Sequence, residues 1–312
     1  MTKHVYTLIA LMLCCHITMP GTNSQKSIKK IKSFFNSYPS EKVDQRELCT
    51  TNVNSISITN LNGPVTIKTG WKKNSLLLKT TKRTKKQDDL DALKVVIDSS
   101  KENSIAITTK QINKKVNGIV EYELIVPSSL DIAINITGNG DAFVKDSDGI
   151  INVVTNDNIT IINTKKSVHT KTLKKGDTLI ANASGPINAT SSIGNITGTA
   201  IGNNCIAHST TGKISIAYTQ LPPESVVHLE TTSGTIALTL PTKTSARITG
   251  KTTHGTLLSE LPIAITPYTT KLNINAWNTF KKEVDGTLGC GDAAISLRST
   301  HGIIKIIETK MV

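Results

Sequence analysis

Apolar and polar residues alternate along most of this chain, in short runs separated by glycine or asparagine. From Leu229 to Leu240 the sequence LETTSGTIALTL contains a Thr-Ser-Gly turn followed by an alternating segment, and TGKTTHGTLLSEL and LRSTHGIIKII repeat the arrangement. Alternation with a period of two is typical of a strand that buries one face. The pattern therefore predicts many short β-strands joined by tight turns.

Between residues 140 and 212 the turns recur every nine residues. Eight of nine slots at this spacing hold Gly or Asn, which adopt turn conformations with positive φ more readily than other residues. The slots are Gly140, Gly149, Asn158, Ser167, Gly176, Gly185, Gly194, Asn203 and Gly212. A wider search for Thr/Ser-x-Gly-x-Ile/Leu and its relaxed copies predicts these structural turn glycines: Gly149, Gly185, Gly194, Gly212, Gly234, Gly255 and Gly302.

The residues two and four positions after most slots are apolar and are expected to point inward. They are Ala142/Val144, Ile151/Val153, Ile187/Ala189, Ile196/Gly198, Cys205/Ala207 and Ile214/Ile216. The units that start at 158, 167 and 176 fit this phase less well, which predicts a shifted register or a bulge there.

Two nine-residue units make one coil of about 18 residues, and stacked coils bury a thin aliphatic interior. Gly212, Gly234 and Gly255 are expected to belong to successive, roomier coils. The predicted fold is all-β: a single-stranded parallel β-solenoid (β-helix) with short strands and Gly/Asn turns, with its core at about residues 130–260 and further β-strands on both flanks. Residues 79–89, KTTKRTKKQDD, are expected to form an exposed hairpin loop or strand end.

The first residues have the features of a targeting segment. Lys3 and His4 precede the apolar run VYTLIALMLCC, and small polar residues follow Pro20 and Gly21. We expect a signal peptide at 1–24; the alternatives are a buried N-terminal helix and, with weaker support, a lipid anchor at Cys14 or Cys15. A basic linker at 25–48, partly helical at 27–37, and a β-solenoid domain at 49–312 would follow. The mature chain has no predicted transmembrane segment, and its location would be the periplasm, the outer surface or the medium.

Composition restricts the core and the partners. Aromatic residues are 4% of the chain and the formal net charge is +13. The core must therefore consist of aliphatic side chains, and the charge favours an anionic glycan or envelope surface as partner. Specific nucleic-acid binding is not expected, because no recognition motif accompanies the charge. A protein partner stays open. Cys49, Cys205 and Cys290 form no metal knuckle; they allow one disulfide plus a free thiol, or three free thiols with Cys205 in the core.

Residues for catalysis or metal binding do not converge in the pattern. Asp148 and Asp157 are nine residues apart and could occupy related corners as catalytic carboxylates, although turn residues are the simpler interpretation. GNGDAF alone is similar to a calcium-binding nonapeptide. His254 and His301 occupy the same position of Thr-His-Gly turns and should point outward, whereas His169, His208 and His228 share no phase. We therefore expect no catalytic residue, no cofactor site and no metal site.

The order of several segments resembles the bacterial family named "putative adhesin", over about residues 50–308. The segments that carry the resemblance are NLNGPVTIKTGWKKNSLLLKTTK, VEYELIVPSSLDIAINITGNGDAFV, VHLETTSGTIALTLP, ARITGKTTHGTLLSELP and VDGTLGCGDAAISLRSTHGIIKI. Shared features are Asn62-Gly63 followed by Gly70-Trp71, Val126-Pro127 at a strand end, the Gly289–Gly291 turn and the closing His301–Ile304 strand. The chain departs from similar proteins at Cys290, where Gly is usual, and in its longer nonapeptide tract. The resemblance implies a β-solenoid, an exported or envelope location and no catalytic residues.

These observations together favour a non-enzymatic, exported adhesin-like or envelope protein that binds glycan or envelope components through repetitive polar ladders. A β-helical polysaccharide lyase or hydrolase is the first alternative. A structural periplasmic domain that binds another protein is the second.

Overall fold

The computed structural model describes residues 38–70, 74–112, 116–265 and 282–309. The predicted signal peptide, the predicted helical segment 27–37 and Trp71 lie outside these ranges. The regular secondary structure of the described residues is β-strand, apart from one 3₁₀ turn at Gln87–Ala92. Among the described residues, no helix has the length and hydropathy needed to cross a bilayer.

The strands occur in chain order with the following bounds. The first nine are β1 (Ser40–Cys49), β2 (Ser55–Asn60), β3 (Val65–Thr69), β4 (Ser75–Thr84), β5 (Leu93–Asp98), β6 (Ser104–Gln111), β7 (Gly118–Val126), β8 (Asp131–Ile136) and β9 (Ala142–Ser147). The central ten are β10 (Ile151–Thr155), β11 (Ile159–Thr164), β12 (Val168–Lys175), β13 (Thr178–Ala183), β14 (Ile187–Ile193), β15 (Ile196–Ile201), β16 (Cys205–Thr211), β17 (Ile214–Tyr218), β18 (Val226–Ser233) and β19 (Ile236–Leu240). The last six are β20 (Ala246–His254), β21 (Leu257–Ser259), β22 (Ala264–Ile265), β23 (Glu283–Leu288), β24 (Ala293–His301) and β25 (Ile304–Glu308).

The described strands form two large, mostly parallel sheets. Sheet A has the order β1-β4-β7-β3-β9-β11-β13-β15-β17-β19-β25-β21, and sheet B has the order β22-β23-β20-β24-β18-β16-β14-β12-β10-β8-β2-β6-β5. From β8 to β19 the chain alternates between the sheets, so each strand is parallel to the strand two places further on. We call one strand of sheet B plus the following strand of sheet A a layer; β14 with β15 is one example.

The inward side chains of both sheets form one aliphatic core. The predicted inward residues Ile151, Ile187, Cys205 and Ile214 are at most 3% exposed and belong to this core. Parallel pairing places Ile187 beside Val168 and Cys205, so similar side chains lie above one another from layer to layer. Each Å² of apolar surface that is buried stabilises the fold by about 25 cal/mol, so this core makes the main stabilising contribution. The predicted phase of these inward residues is confirmed.

The predicted register shift near residue 158 is also confirmed. Asn158 hydrogen-bonds to Asp141, 17 residues earlier, and Asp177 hydrogen-bonds to Asn158, 19 residues earlier. The next contacts of this kind span 18 residues. Asp157, rather than Asn158, therefore occupies the bend position equivalent to Gly140 and Gly176, and a Cβ on Gly176 would lie 2.2 Å from the Asp157 carbonyl oxygen.

The C-terminal strands do not follow the chain order. The layer formed by β24 and β25 lies between the β18–β19 layer and the β20–β21 layer. The expectation that Gly234 and Gly255 belong to successive coils is therefore wrong, because Gly302 separates them. The turns at Gly234, Gly255 and Gly302 have similar sequences. Their sequence and spacing therefore do not show that the β24–β25 layer lies between the two others.

Antiparallel strands β1, β4 and β7 form one end of sheet A. β1 includes residues 40–49, so the sheet extends into the segment that sequence analysis assigned to a basic linker. The prediction of an exposed hairpin loop or strand end at residues 79–89 is right that a strand ends here, since β4 ends at Thr84, but it is wrong about the exposure of residues 79–84, which are buried or half-buried. Arg83 is 8% exposed there and pairs with Glu41 at 2.5 Å and Glu121 at 3.6 Å.

Candidate functional surface

The seven predicted turn glycines all lie in bends between strands, but on two different edges of the molecule. Five of them form a column where the chain passes from sheet B to sheet A. A Cβ added to Gly212, Gly234 or Gly302 would lie 2.0, 2.0 or 1.8 Å from a glycine carbonyl oxygen of the adjacent layer. The column contains Gly194, Gly212, Gly234, Gly302 and Gly255 in spatial order. Glycine is thus the residue that permits these layers to stack at this distance.

Hydroxyl groups connect the layers beside this column. Ser209 lies three residues before Gly212, and its Oγ donates a hydrogen bond to the Gly194 carbonyl at 3.1 Å. The same contact recurs from Thr231 to Gly212 at 3.3 Å, from Ser299 to Gly234 at 3.3 Å and from Thr252 to Gly302 at 3.0 Å. These hydroxyls are buried, and each satisfies a bend carbonyl that has lost its strand partner. The Thr/Ser-x-x-Gly turns are therefore structural connections.

Gly149 and Gly185 lie on the opposite edge, where the chain passes from sheet A to sheet B. A Cβ on Gly149 would lie 2.0 Å from the Leu130 carbonyl oxygen, and one on Gly185 would lie 2.2 Å from that of Lys166. Successive nine-residue slots consequently alternate between the two edges.

Asp148 and Asp157 lie on these two different edges and each stabilises a bend. Asp148 accepts hydrogen bonds from Ser128 and Lys165, both at 2.8 Å, and these contacts lower the pKa of its carboxyl group. Asp157 accepts the Gly140 N–H at 2.7 Å. A general acid requires a raised pKa, so the direction of the Asp148 shift is opposite to that requirement.

The histidines occupy outward positions on sheet B and its edge. His254 and His301 lie side by side with ring centroids 4.8 Å apart. His208 Nδ1 and His228 Nε2 lie 3.8 and 3.5 Å from Glu230 Oε2. The expectation that His169 and His228 share no phase is wrong, since both lie in one row across β12, β14, β16 and β18. Within the described ranges, no group of three His, Cys, Asp or Glu side chains has a geometry suited to a metal ion.

The three cysteines of the described ranges have free thiols. Cys205 is buried between Ile187 and Val227, and burial raises its pKa to about 12. Cys49 and Cys290 are exposed. Cys49 contacts the Thr51 hydroxyl at 3.2 Å, and this hydrogen bond lowers the pKa of the thiol.

A row of lysines lies along β12 and the bend before it, on the outer face of sheet B. Lys171 points outward from the strand, Lys166 lies in the bend before it, and Lys174 and Lys175 lie at its end. All four are exposed, and none has a carboxylate oxygen within 4.0 Å among the described residues. The nearby Lys165 differs, since it pairs with Asp148 at 2.8 Å. We call Lys166, Lys171, Lys174 and Lys175 the lysine row.

The surroundings of the lysine row contain few compensating charges. Lys171 has Val154 and Thr190 as outward neighbours on the adjacent strands, and His169 has Asn152 and Asn188. β12, which contains three of the four lysines, is eight residues long, or about 26 Å at 3.3 Å per residue. Cationic side chains that have no ion-pair partner produce a positive potential that attracts anions.

A local irregularity makes the end of the row protrude. The pairing of β12 with β14 shifts between Thr172 and Lys175, and three residues separate Thr172 from Gly176. Leu173, Lys174 and Lys175 are consequently exposed. The sequence pattern does not predict the lysine row, because VHTKTLKKG fits the nine-residue phase poorly. The signal that could have revealed it is the alternation of buried Val168, Thr170 and Thr172 with charged positions.

No protein-family model matches the chain, and no curated protein matches it. Three crystal structures are similar to it over most of their length. A putative adhesin from Bacteroides fragilis is 15% identical, with 86% of this chain and 99% of that chain covered and a TM-score of 0.48. A putative adhesin from Parabacteroides distasonis is 10% identical (85% and 97% covered, TM-score 0.33), and a putative cell adhesion protein from Clostridium sporogenes is 11% identical (86% and 100% covered, TM-score 0.28). All three names refer to adhesion, the class of protein that the sequence itself resembles.

Proposed function

We propose that this protein is an exported, non-enzymatic, adhesin-like β-solenoid that binds an anionic polysaccharide or envelope surface through the lysine row. The names of the similar crystal structures suggest the class of function, and the chain's own surface supports the choice of ligand. The observation that carries the proposal is the set of four exposed lysines in β12 and the bend before it, none of which has a carboxylate partner in the described part of the chain.

A linear polyanion suits the shape of this row. The lysines lie along a strand rather than around a pocket, and a repeating acidic chain presents its charges in the same linear way. Each contact at such an exposed site contributes little alone. Several contacts along one chain act together, since each later contact forms at a high effective concentration.

The experiment compares wild type with Lys171→Glu/Lys174→Glu/Lys175→Glu on immobilised dextran sulfate and on unmodified dextran. Lys101→Glu/Lys213→Glu/Lys243→Glu is the matched control, since it changes the net charge equally at three scattered exposed lysines. We expect at least a tenfold loss of dextran sulfate binding in the row variant and less than a threefold loss in the control. Equal losses in both variants, or no binding by wild type, would contradict the proposal.

A further inference from the structure

The outer face of sheet A has a surface chemistry different from that of sheet B. The five consecutive neighbours β11, β13, β15, β17 and β19 contain no Asp, Glu, Lys, Arg or His. The sheet B strands of the same layers include β12 with its lysines and β18 with His228 and Glu230. In a chain that is 19% charged, a run of five uncharged adjacent strands defines a distinct surface. Its ten outward residues are Thr160, Ile162, Leu179, Ala181, Thr197, Thr199, Ser215, Ala217, Ala237 and Thr239; we call this surface the uncharged face.

Most side chains on the uncharged face are small, and all are at least partly buried. Nine of the ten are only partly exposed, and Ala237 is 5% exposed although it points outward. Parallel register places Leu179 between Thr160 and Thr197, so hydroxyl and hydrocarbon groups are interspersed. The surface is therefore even, without protruding charged side chains.

The hydroxyls of this face are available to an external partner. Thr160, Thr197, Thr199, Ser215 and Thr239 make no side-chain hydrogen bond to other described residues. The buried hydroxyls of the same layers behave differently, since Ser209 and Thr231 donate to glycine carbonyls. A hydroxyl can donate and accept, and adjacent methyl groups supply apolar contact.

The size of the uncharged face restricts what could cover it. Five strands spaced by about 4.8 Å, each about 17 Å long, give roughly 400 Å². A stable protein–protein interface buries about 800 Å² on each partner, which is twice this area. A second copy of the chain would also add a second positive charge of +13 to the complex. A narrow, linear, neutral ligand fits the area better than a folded protein does.

The lack of charge on its five strands disfavours an acidic ligand at the centre of the uncharged face. A carboxylate or sulfate placed there would lose hydration without gaining a cation, since Lys145 of β9 and Lys305 of β25 are in register only with the outermost strands of the face. A neutral sugar chain presents hydroxyl groups together with C–H groups, which matches the mixture of hydroxyl and methyl groups on the face. Asp177 and Lys213 border the face in the bends before β13 and β17, where they can contact sugar hydroxyls.

We infer that the uncharged face binds a neutral polysaccharide chain. This inference is independent of the lysine row, which lies on the other sheet and attracts anions.

The test uses full-length protein and a panel of neutral polysaccharides: cellulose, dextran, starch and galactomannan. Thr197→Lys/Ser215→Lys places two charges at the centre of the face. Asn188→Lys/Thr190→Lys is the matched control, since it places the same charges on β14, on the outer face of sheet B. Circular dichroism and thermal unfolding of both variants verify the fold.

We expect wild type to bind at least one member of the panel, with at least a tenfold loss in Thr197→Lys/Ser215→Lys and less than a threefold change in the β14 control and in the lysine-row variant. Binding to none of the four, or equal binding by the face variant, would overturn the inference. Sedimentation velocity provides a second criterion. Self-association of wild type that Thr197→Lys/Ser215→Lys abolishes would show that a second copy occupies the face, and would also overturn it.

Discussion

The imidazole of His254 stacks on that of His301, with ring centroids 4.8 Å apart and planes inclined by 17°. The contact joins β20 to β24, which are aligned in parallel at these two residues. Ser233 of β18 lies on the other side of His301. The β24–β25 layer is consequently held between two layers that precede it in the chain.

This order can be tested by disulfide formation. In-register residues on adjacent strands lie about 4.8 Å apart, and residues two strands apart lie about 9.6 Å apart. Disulfides require Cα atoms within about 7 Å. In a Cys49→Ser/Cys290→Ser background, His254→Cys/His301→Cys and Ser233→Cys/His301→Cys should cross-link under mild oxidation. Mass spectrometry of peptides detects the bonds.

Ser233→Cys/His254→Cys is the control for the insertion, because His301 separates the two positions. It should stay reduced in the folded monomer. Efficient cross-linking of this pair, with failure of the two other pairs, would show that β20 follows β18 directly.

Close packing of the glycine column predicts a large effect of a single methyl group. Gly302→Ala places Cβ 1.8 Å from the Gly234 carbonyl oxygen, so the layers must separate. We expect the free energy of unfolding to fall by about 1–3 kcal/mol, the range for overpacked sites. Denaturant unfolding monitored by circular dichroism measures the change.

Gly202→Ala is the matched control, since the nearest atoms to its Cβ would lie 3.6 Å away. Its effect on the free energy of unfolding should be below about 0.5 kcal/mol, as at unconstrained surface sites. Equal effects of the two substitutions would contradict the role of the column.

The environments of the thiols predict an order of reactivity. Cys205 is fully buried with a pKa raised to about 12, whereas Cys49 and Cys290 are exposed. The thiolate is the reactive form, so at pH 8 iodoacetamide should label Cys49 first, Cys290 next and Cys205 only after unfolding. Residue-specific mass spectrometry checks this order, and rapid labelling of Cys205 in folded protein would contradict its place in the core.

The raised pKa of Cys205 also predicts how the stability of the protein changes with pH. Because the folded state favours the neutral Cys205 thiol, the stabilisation from this residue is present below pH 9 and is lost as the pH rises toward about 12. Cys205→Ala should remove this contribution to the pH dependence above pH 9.

A buried polar network near the N-terminal end predicts a strong effect at Asn60. Its Nδ2 donates to the carbonyls of Gly63 at 2.9 Å and Val120 at 2.7 Å, and its Oδ1 accepts the Thr109 hydroxyl at 2.8 Å. Asn60→Ala leaves these buried groups without partners, at about 1–3 kcal/mol for each unsatisfied group. Thermal unfolding should show a loss of several degrees, whereas exposed Asn152→Ala should change little. An unchanged thermal stability of Asn60→Ala would mean that water reaches this network.

Local pattern was sufficient to predict the β class, the inward phase of Ile187 and Ala189, and the bends at the turn glycines. Alternation predicts these features because each strand buries one face regardless of its neighbours. The order of the layers could not be predicted from the spacing of the turns along the chain, since Gly234, Gly255 and Gly302 have nearly the same local sequence. The sequence predicts the shift at Asp157 only as an irregularity, because Asn158, and not Asp157, lies nine residues after Gly149.

Tertiary contacts explain the remaining differences. The lysines and Arg83 in residues 79–84 suggest an exposed hairpin loop or strand end, but Glu41 of β1 and Glu121 of β7 neutralise Arg83 inside the sheet, so the end of β4 is buried. The sequence pattern does not reveal the lysine row, for the opposite reason. Its charges lie on an ordinary strand, and their importance depends on the uncharged neighbours Val154 and Thr190.

The dependence of polyanion binding on salt tests the functional account most directly. Each lysine that contacts a polyanion releases condensed counterions, so the logarithm of the association constant falls with the logarithm of salt concentration in proportion to the number of contacts. Titration of soluble dextran sulfate at several salt concentrations should give a steep slope for wild type and for the Lys101/Lys213/Lys243 control. The Lys171/Lys174/Lys175 variant should give a clearly shallower slope. Equal slopes for wild type and the row variant would show that the anion binds elsewhere and would contradict the account.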